Sequence, residues 1–150
     1  MNPTDRSPLP CTGARLRRLT RRMTVFYEQF LRPVGLRLSQ YAVLMHLDTA
    51  PQTQQVLAHR LEMDRTTLTR ALKPLVAAGW VSYGTAAADA RRRLFALTPA
   101  GVAQREVARQ EWVKAQCALE DIMDRDFVAD LNTRLDTALA RLKPALPGEN

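Results

Sequence analysis

Cysteine is scarce in this chain: 2 among 150 residues. Cys11 and Cys117 are too few for a disulfide framework, so a reducing cytoplasm is the expected compartment. Aromatic residues make up 6%, while leucine and alanine are plentiful, a balance that favours packed helices. No apolar run approaches the roughly 18 residues of a membrane span. The first residues show no apolar stretch before a small-residue cleavage site, so neither a membrane anchor nor a secretory signal is expected. The two histidines, His46 and His59, form no metal-ligand spacing with either cysteine. No C-x-x-C pair, G-x-G-x-x-G turn or phosphate-binding loop is present, and no catalytic constellation is recognisable. These absences argue against a metal, a cofactor and an enzyme.

Acidic residues are the minority charge. Lys and Arg number 22 against 15 Asp and Glu, a formal net charge of +7. Such an excess favours an anionic partner, nucleic acid first among them. Residues 1–37 carry eight basic and two acidic side chains, and residues 60–93 carry seven and three. Residues 100–150 reverse the balance, with seven basic and nine acidic. The positive charge belongs to the first two thirds, and the last third needs another role.

What is present is a succession of helical patterns broken by one hairpin. Residues 1–10 hold three prolines and no period, and read as an arm. From Ala14 the apolar positions Leu16, Leu19, Met23, Phe26, Tyr27, Phe30 and Leu31 recur at helical spacing. Arg32-Pro33 ends that helix, because a residue before proline is pushed out of the α region. Ser39 is the expected N-cap of a second helix with Tyr41, Leu44, Met45 and Asp48 facing inward, broken at Ala50-Pro51. Thr53 caps a short third helix bearing Val56, Leu57 and Leu61. After a turn at Met63-Asp64, Asp64 caps a fourth, whose stripe is Leu68, Leu72, Leu75 and Val76, with Gly79 as its C-terminal glycine. Pro74 lies within this helix and predicts a bend. Trp80 to Tyr83 and Leu94 to Leu97 alternate like strands around a small-residue turn over 84–90. Thr98-Pro99 opens a fifth helix running to about Met123. A sixth, from Asp126 to about Leu142, carries a leucine seam at Leu131, Leu135, Leu139 and Leu142.

Two short helices joined by a tight turn and followed by a hairpin make a winged helix-turn-helix. The fold class expected is mainly α with a small β wing. In such a unit the fourth helix would read the major groove of double-stranded DNA through Arg65, Thr66, Thr67, Thr69, Arg70 and Lys73. The hairpin would bring arginine to the narrow minor groove.

Several motifs, in order, resemble the MarR family of transcriptional regulators. Asp89-Ala90-Arg91, five further residues, then Leu97-Thr98 is similar to that family's D-x-R-x(5)-L-T wing. Leu61 to Arg70 is similar to its turn and recognition helix, Ala77 to Val81 to its exit, and Thr98 to Gly101 to the start of its long helix. The similarity extends over about residues 14–145. It implies that Arg91 is the minor-groove finger, oriented by Asp89, with Arg92 and Arg93 beside it at the wing. It also implies a single domain over 1–150, with a DNA-binding lobe at about 39–98. Dimerisation helices would occupy about 11–32 and 99–145, giving a homodimeric repressor of a palindromic operator.

The signal that releases such a repressor has two readings. Cys11, Tyr27 and Tyr41 resemble the family's organic-hydroperoxide-sensing branch, with Cys117 as a resolving partner. Counted from Tyr27, however, Gly13 falls where that branch's reactive cysteine would lie, and Cys11 stands two positions earlier. The other reading is a small aromatic ligand in a cleft lined by Tyr27, Phe30, Tyr41, Met45 and Trp112. The plain alternative to both makes these cleft residues ordinary core, Cys11 an idle thiol in an arm and Cys117 a small apolar filler in a helix. Two other functions compete with regulation: a thiol-dependent peroxidase using Cys11, and a winged helix used for protein contacts alone.

Overall fold

The computed structural model describes residues 11–86 and 89–143, with the side chains of 86–92 outside the described set. Six helices and three strands follow in the order α1 Thr12–Leu31, α2 Leu38–His46, β1 Gln52–Thr53, α3 Gln54–Leu61, α4 Arg65–Ala77, β2 Val81–Ala86, β3 Asp89–Leu97, α5 Pro99–Met123 and α6 Arg125–Leu142. The chain forms two compact units that meet within α5, the first ending at Glu111 and the second beginning at Trp112.

In the first unit, α1 starts two residues ahead of the expected Ala14 and ends at Leu31. Pro33 then sits in a 3-10 turn over Arg32–Val34, closed by Gly35 at φ +79°. The α2 helix differs from expectation at both ends. Arg37 rather than Ser39 precedes it, its N–H bonded to Gln40 Oε1 at 2.8 Å. The helix stops at His46, short of the Ala50-Pro51 break. Leu47 then turns extended (φ −89°, ψ 134°), so Leu47 takes the buried position expected for Asp48. Asp48 lies exposed, and its backbone carbonyl accepts Leu97 N–H at 2.8 Å. The carbonyls freed where α2 ends accept arginine: His46 from Arg60 at 2.9 Å and Leu47 from Arg105 at 3.3 Å.

The core of this unit joins Leu31, Leu36, Val43, Leu44, Leu47 and Leu57 to the inward stripe of α4. That stripe is Leu68, Ala71, Leu72 and Leu75, spaced three, one and three apart as one helix face demands. Burying a leucine of this kind contributes about 1.5–3 kcal/mol. On α3 only Leu57 is fully buried, Leu61 is half-buried, and Val56 faces solvent. Pro74 stands inside α4 without ending it. The helix closes at Gly79 (φ +74°), with Gly79 N–H bonded to Val76 O and Trp80 N–H to Leu75 O, each at 3.0 Å. That pair of bonds is a Schellman ending, which needs the left-handed residue glycine supplies.

The hairpin is longer than its alternation suggested. Strands run through the expected turn to Ala86 and resume at Asp89, leaving 87–88 outside the described residues. All three strands are antiparallel in the order β1-β3-β2, and two-residue β1, unforeseen, pairs Gln52 with Phe95 and Thr53 with Leu94. Between β2 and β3 the register is regular from Val81↔Leu97 to Thr85↔Arg93, then shifts to Ala86↔Asp89. Backbone residues 90–92, including Arg91, therefore lie in a bulged stretch.

In the second unit, α5 continues to Met123 and turns through Asp124 at φ +72°. The Asp124 carboxylate accepts the N–H groups of Asp126 and Phe127 at 2.9 and 3.3 Å, capping α6. Ala115, Leu119 and Val128 are buried. Along the leucine seam Leu131 and Leu135 are half-buried, while Leu139 and Leu142 are exposed.

Candidate nucleic-acid interface

The α4 helix, the candidate recognition helix, is built from its cap outward. Asp64, extended at φ −66°, ψ 156°, accepts Thr67 N–H on Oδ1 at 2.9 Å and the Thr67 hydroxyl on Oδ2. One of the free backbone N–H groups at the start of α4 is thereby satisfied, and the same carboxylate holds the Thr67 hydroxyl. These bonds, led by that from the Thr67 hydroxyl, hold the Asp64 carboxyl below the usual carboxylate range. A carboxyl depressed by folding stabilises the fold fully above its unfolded pKa, and that stabilisation is lost as pH falls through the lower folded value. Asparagine caps a helix comparably but does not titrate. Asp64→Asn is expected to match wild type near neutral pH and to lose less of its melting temperature on acidification below pH 4. Parallel acid-induced losses in the two proteins would show that the cap carboxylate does not titrate with folding.

All six residues expected to face DNA are exposed on α4: Arg65, Thr66, Thr67, Thr69, Arg70 and Lys73. They are not equally available. The Thr67 hydroxyl is committed to the cap. The Thr69 hydroxyl donates to Arg65 O at 2.7 Å and accepts from Gln54 Nε2, also at 2.7 Å. Thr66, Arg70 and Lys73 are exposed and make no such side-chain bond among the described residues. Gln54 escaped sequence reading, since no local spacing marks a bond between side chains 15 residues apart.

Behind α4 a half-open groove of about 240 Å³ separates the helix from the sheet, with Leu72 and Val76 on one side and Tyr83 and Phe95 on the other. The Tyr83 and Phe95 rings lie 6.3 Å apart, and Lys73 and Arg93 line the same groove. Arg93 is exposed and paired across the hairpin with Thr85. The side chains of Asp89, Arg91 and Arg92 lie outside the described residues, although their backbone belongs to β3.

The residues considered for a signal are placed as follows. Cys11 and Cys117 are free thiols, both exposed, in different units. Tyr27 and Phe30 are half-buried on α1, each packed edgewise or tilted against Phe26 at 5.7 and 5.6 Å. Tyr41 is buried in α2, and burial raises its pKa against the opposing charge of Arg109. Met45 is half-buried, and Trp112, also half-buried, belongs to the second unit. His46 places Nδ1 2.9 Å from the Ala42 carbonyl. Among the described residues no group of three or more His, Cys, Asp or Glu is placed to hold a metal ion. No helix among them is long and apolar enough to cross a membrane.

Comparison with known proteins places this geometry. A family model described as "MarR family" matches residues 34–92, the span from the end of the 3-10 turn into β3. No curated protein sequence matches the chain significantly. Among solved structures, the transcriptional repressor CouR bound to a 23-mer DNA duplex superposes with a TM-score of 0.76 at 25% identity, covering 89% of this chain and 99% of its own. A Cys→Ser mutant of MarR from E. coli, complexed with operator DNA, gives 0.73 at 28% identity over 85% and 92%. The M. tuberculosis transcriptional regulator MOSR, in complex with DNA, gives 0.68 at 29% over 86% and 98%.

Proposed function

We propose, from a winged helix-turn-helix that belongs to the MarR family, that this chain is a sequence-specific DNA-binding transcriptional repressor. The observation that carries this reading is the exposed face of α4, where Arg65, Thr66, Arg70 and Lys73 stand clear of the core. One helix thus offers hydroxyl, guanidinium and ammonium groups to base edges and phosphates beside a hairpin rich in arginine. In this role Arg91 is the minor-groove finger of the wing and Asp89 orients it, with Arg92 and Arg93 adding to the positive field. Thr67 and Thr69 serve DNA through the helix they hold in place.

The repressor acts as a homodimer on a palindromic operator, in the cytoplasm where its DNA lies. Exposed Ile122, Phe127, Leu139 and Leu142 support a self-association surface in the second unit. Such a dimer sets its half-sites about one helical turn apart. The reading requires no catalytic step. Release by an oxidant is supported by two exposed free thiols. Release by a small aromatic ligand would draw instead on the aromatic side chains of α1 and α2.

Fluorescence anisotropy with duplex from upstream of the chain's own gene tests the reading. Affinity is expected to fall steeply with salt, with a log–log slope near −0.9 for each phosphate neutralised. Arg91→Ala is expected to weaken binding about tenfold while leaving the melting temperature unchanged. Unaltered affinity in that variant would remove Arg91 from the interface, and weak, salt-independent binding by wild type would refute DNA recognition. Repeating the titration after stoichiometric organic hydroperoxide separates the two signals. Release reversed by thiol supports the cysteines, whereas unchanged binding leaves the small ligand.

A further inference from the structure

The geometry points to Gln54, the first residue of α3, as the positioning residue of the recognition helix, whose amide locks Thr69 and withdraws it from base reading. This rests on the DNA-binding reading above and names what sets its specificity. Gln54 is half-buried, and its Nε2 donates to Thr69 Oγ1 at 2.7 Å while reaching Arg65 O at 3.4 Å. Thr69 spends its single hydroxyl proton on Arg65 O. That hydroxyl therefore has no proton left for a base and only one lone pair unused. Nor is the knot isolated. Thr53, next in the chain to Gln54, accepts Val56 N–H at 3.2 Å to cap α3 and pairs with Leu94 of β3.

A strand of the wing is thus linked through Thr53 and Gln54 to the first turn and a half of α4. Recognition by a helix depends on its rotation about its own axis, because that rotation sets the direction in which Thr66 and Arg70 present their polar groups. Leu68, Ala71, Leu72 and Leu75 hold the buried side of α4 by packing, which tolerates small rotations. The Gln54 amide adds a directional tie at the edge of that packed face, where Gln54 and Thr69 both line the groove between α4 and the sheet. Of the four polar residues from 66 to 70, this leaves Thr66 and Arg70 to read bases, with Thr67 held by the cap and Thr69 by Gln54.

The test compares wild type with Gln54→Ala, Thr69→Ser, Thr69→Val and the double variant Gln54→Ala/Thr69→Val. Each is titrated onto the tightest duplex selected from a random pool and onto an unrelated duplex. Gln54→Ala and Thr69→Val are expected to weaken the selected duplex about five- to tenfold, the net worth of one such hydrogen bond. Binding to the unrelated duplex and the salt slope should stay put. Thr69→Ser, which keeps the acceptor oxygen, should bind within about twofold of wild type, and the double variant no worse than Thr69→Val, because both changes remove one bond. Losses that multiply in the double variant would instead make Thr69 a base reader independent of Gln54. Wild-type affinity in Gln54→Ala would overturn the proposal.

Amide exchange gives a readout without DNA. The Thr69 and Arg70 amides should exchange about fivefold faster in Gln54→Ala, with Leu72 and Leu75 unaffected. If wild type fails to discriminate between the duplexes, the DNA-binding reading falls while exchange still decides the lock. Unchanged exchange at Thr69 and Arg70 would overturn it.

Discussion

Gly101→Ala is expected to destabilise the protein by about 3 kcal/mol or more, near the upper end for a single added methyl. A Cβ built at Gly101 falls 1.9 Å from the Trp80 carbonyl oxygen and 2.8 Å from its carbon, with Leu97 Cδ2 at 3.2 Å. The first two contacts are with backbone, so no side-chain rotation relieves them. The Trp80 peptide also cannot retreat freely. Its N–H closes α4 on Leu75 O at 3.0 Å, and its carbonyl accepts Thr98 N–H at 3.1 Å. Thr98 fastens the same junction, donating its hydroxyl to Gly79 O at 2.6 Å and accepting Gly101 N–H at 3.0 Å. The end of α4 and the start of α5 are therefore pressed together at a point where a hydrogen is the largest substituent that fits. At this chain length the loss corresponds to a fall of roughly 6–12 °C in melting temperature. Gly84→Ala supplies the control, since a Cβ there meets nothing within 4 Å and should leave stability within about 0.5 kcal/mol. If Gly101→Ala melted within 2 °C of wild type, the close approach of α5 to Trp80 would be wrong.

That junction shows what a sequence carries and what it hides. The Asp64 cap, the Leu68-Leu72-Leu75 stripe, the Gly79 ending and the Thr98-Pro99 start were all legible, because each rests on chemistry within one helical turn. The order of helices and hairpin was legible for the same reason, and with it the exposed polar face of α4. Hidden features are those in which distant segments decide. Gln54 becomes informative only when α3 crosses α4 and brings its amide to Thr69. Two-residue β1 has no period of its own and exists because β3 offers it an edge. Asp48 looked inward on an extrapolated helix, but the chain leaves helical geometry at Leu47 and rotates the pattern by one residue. The hairpin exceeded its apolar alternation because ladder bonds between β2 and β3 continue through Thr85, where side-chain polarity no longer reports them.

Arg70→Ala is expected to weaken binding to the preferred operator about 5- to 150-fold, the range for losing one bidentate contact to a base edge. Arg70 lies one turn beyond Thr66 and is exposed on the face of α4 opposite Ala71, Leu72 and Leu75. Its planar guanidinium can donate two parallel hydrogen bonds to guanine O6 and N7, a geometry that lysine's ammonium does not reproduce. Loss of that fork should also flatten preference at one base pair of each half-site, leaving neighbouring positions discriminated as before. Lys73, a turn nearer the C-terminus and lining the groove toward the hairpin, provides the contrast. As a point charge suited to phosphate, its replacement by alanine should weaken all duplexes alike and reduce the salt slope by about one contact. Competition titrations with the operator and its single-base variants, run at several salt concentrations, separate these outcomes. A uniform loss in Arg70→Ala, together with a shallower salt slope, would move Arg70 from the bases to the backbone. Sequence reading would then rest on Thr66 and the wing, and the operator should show correspondingly weak preference beneath the centre of α4.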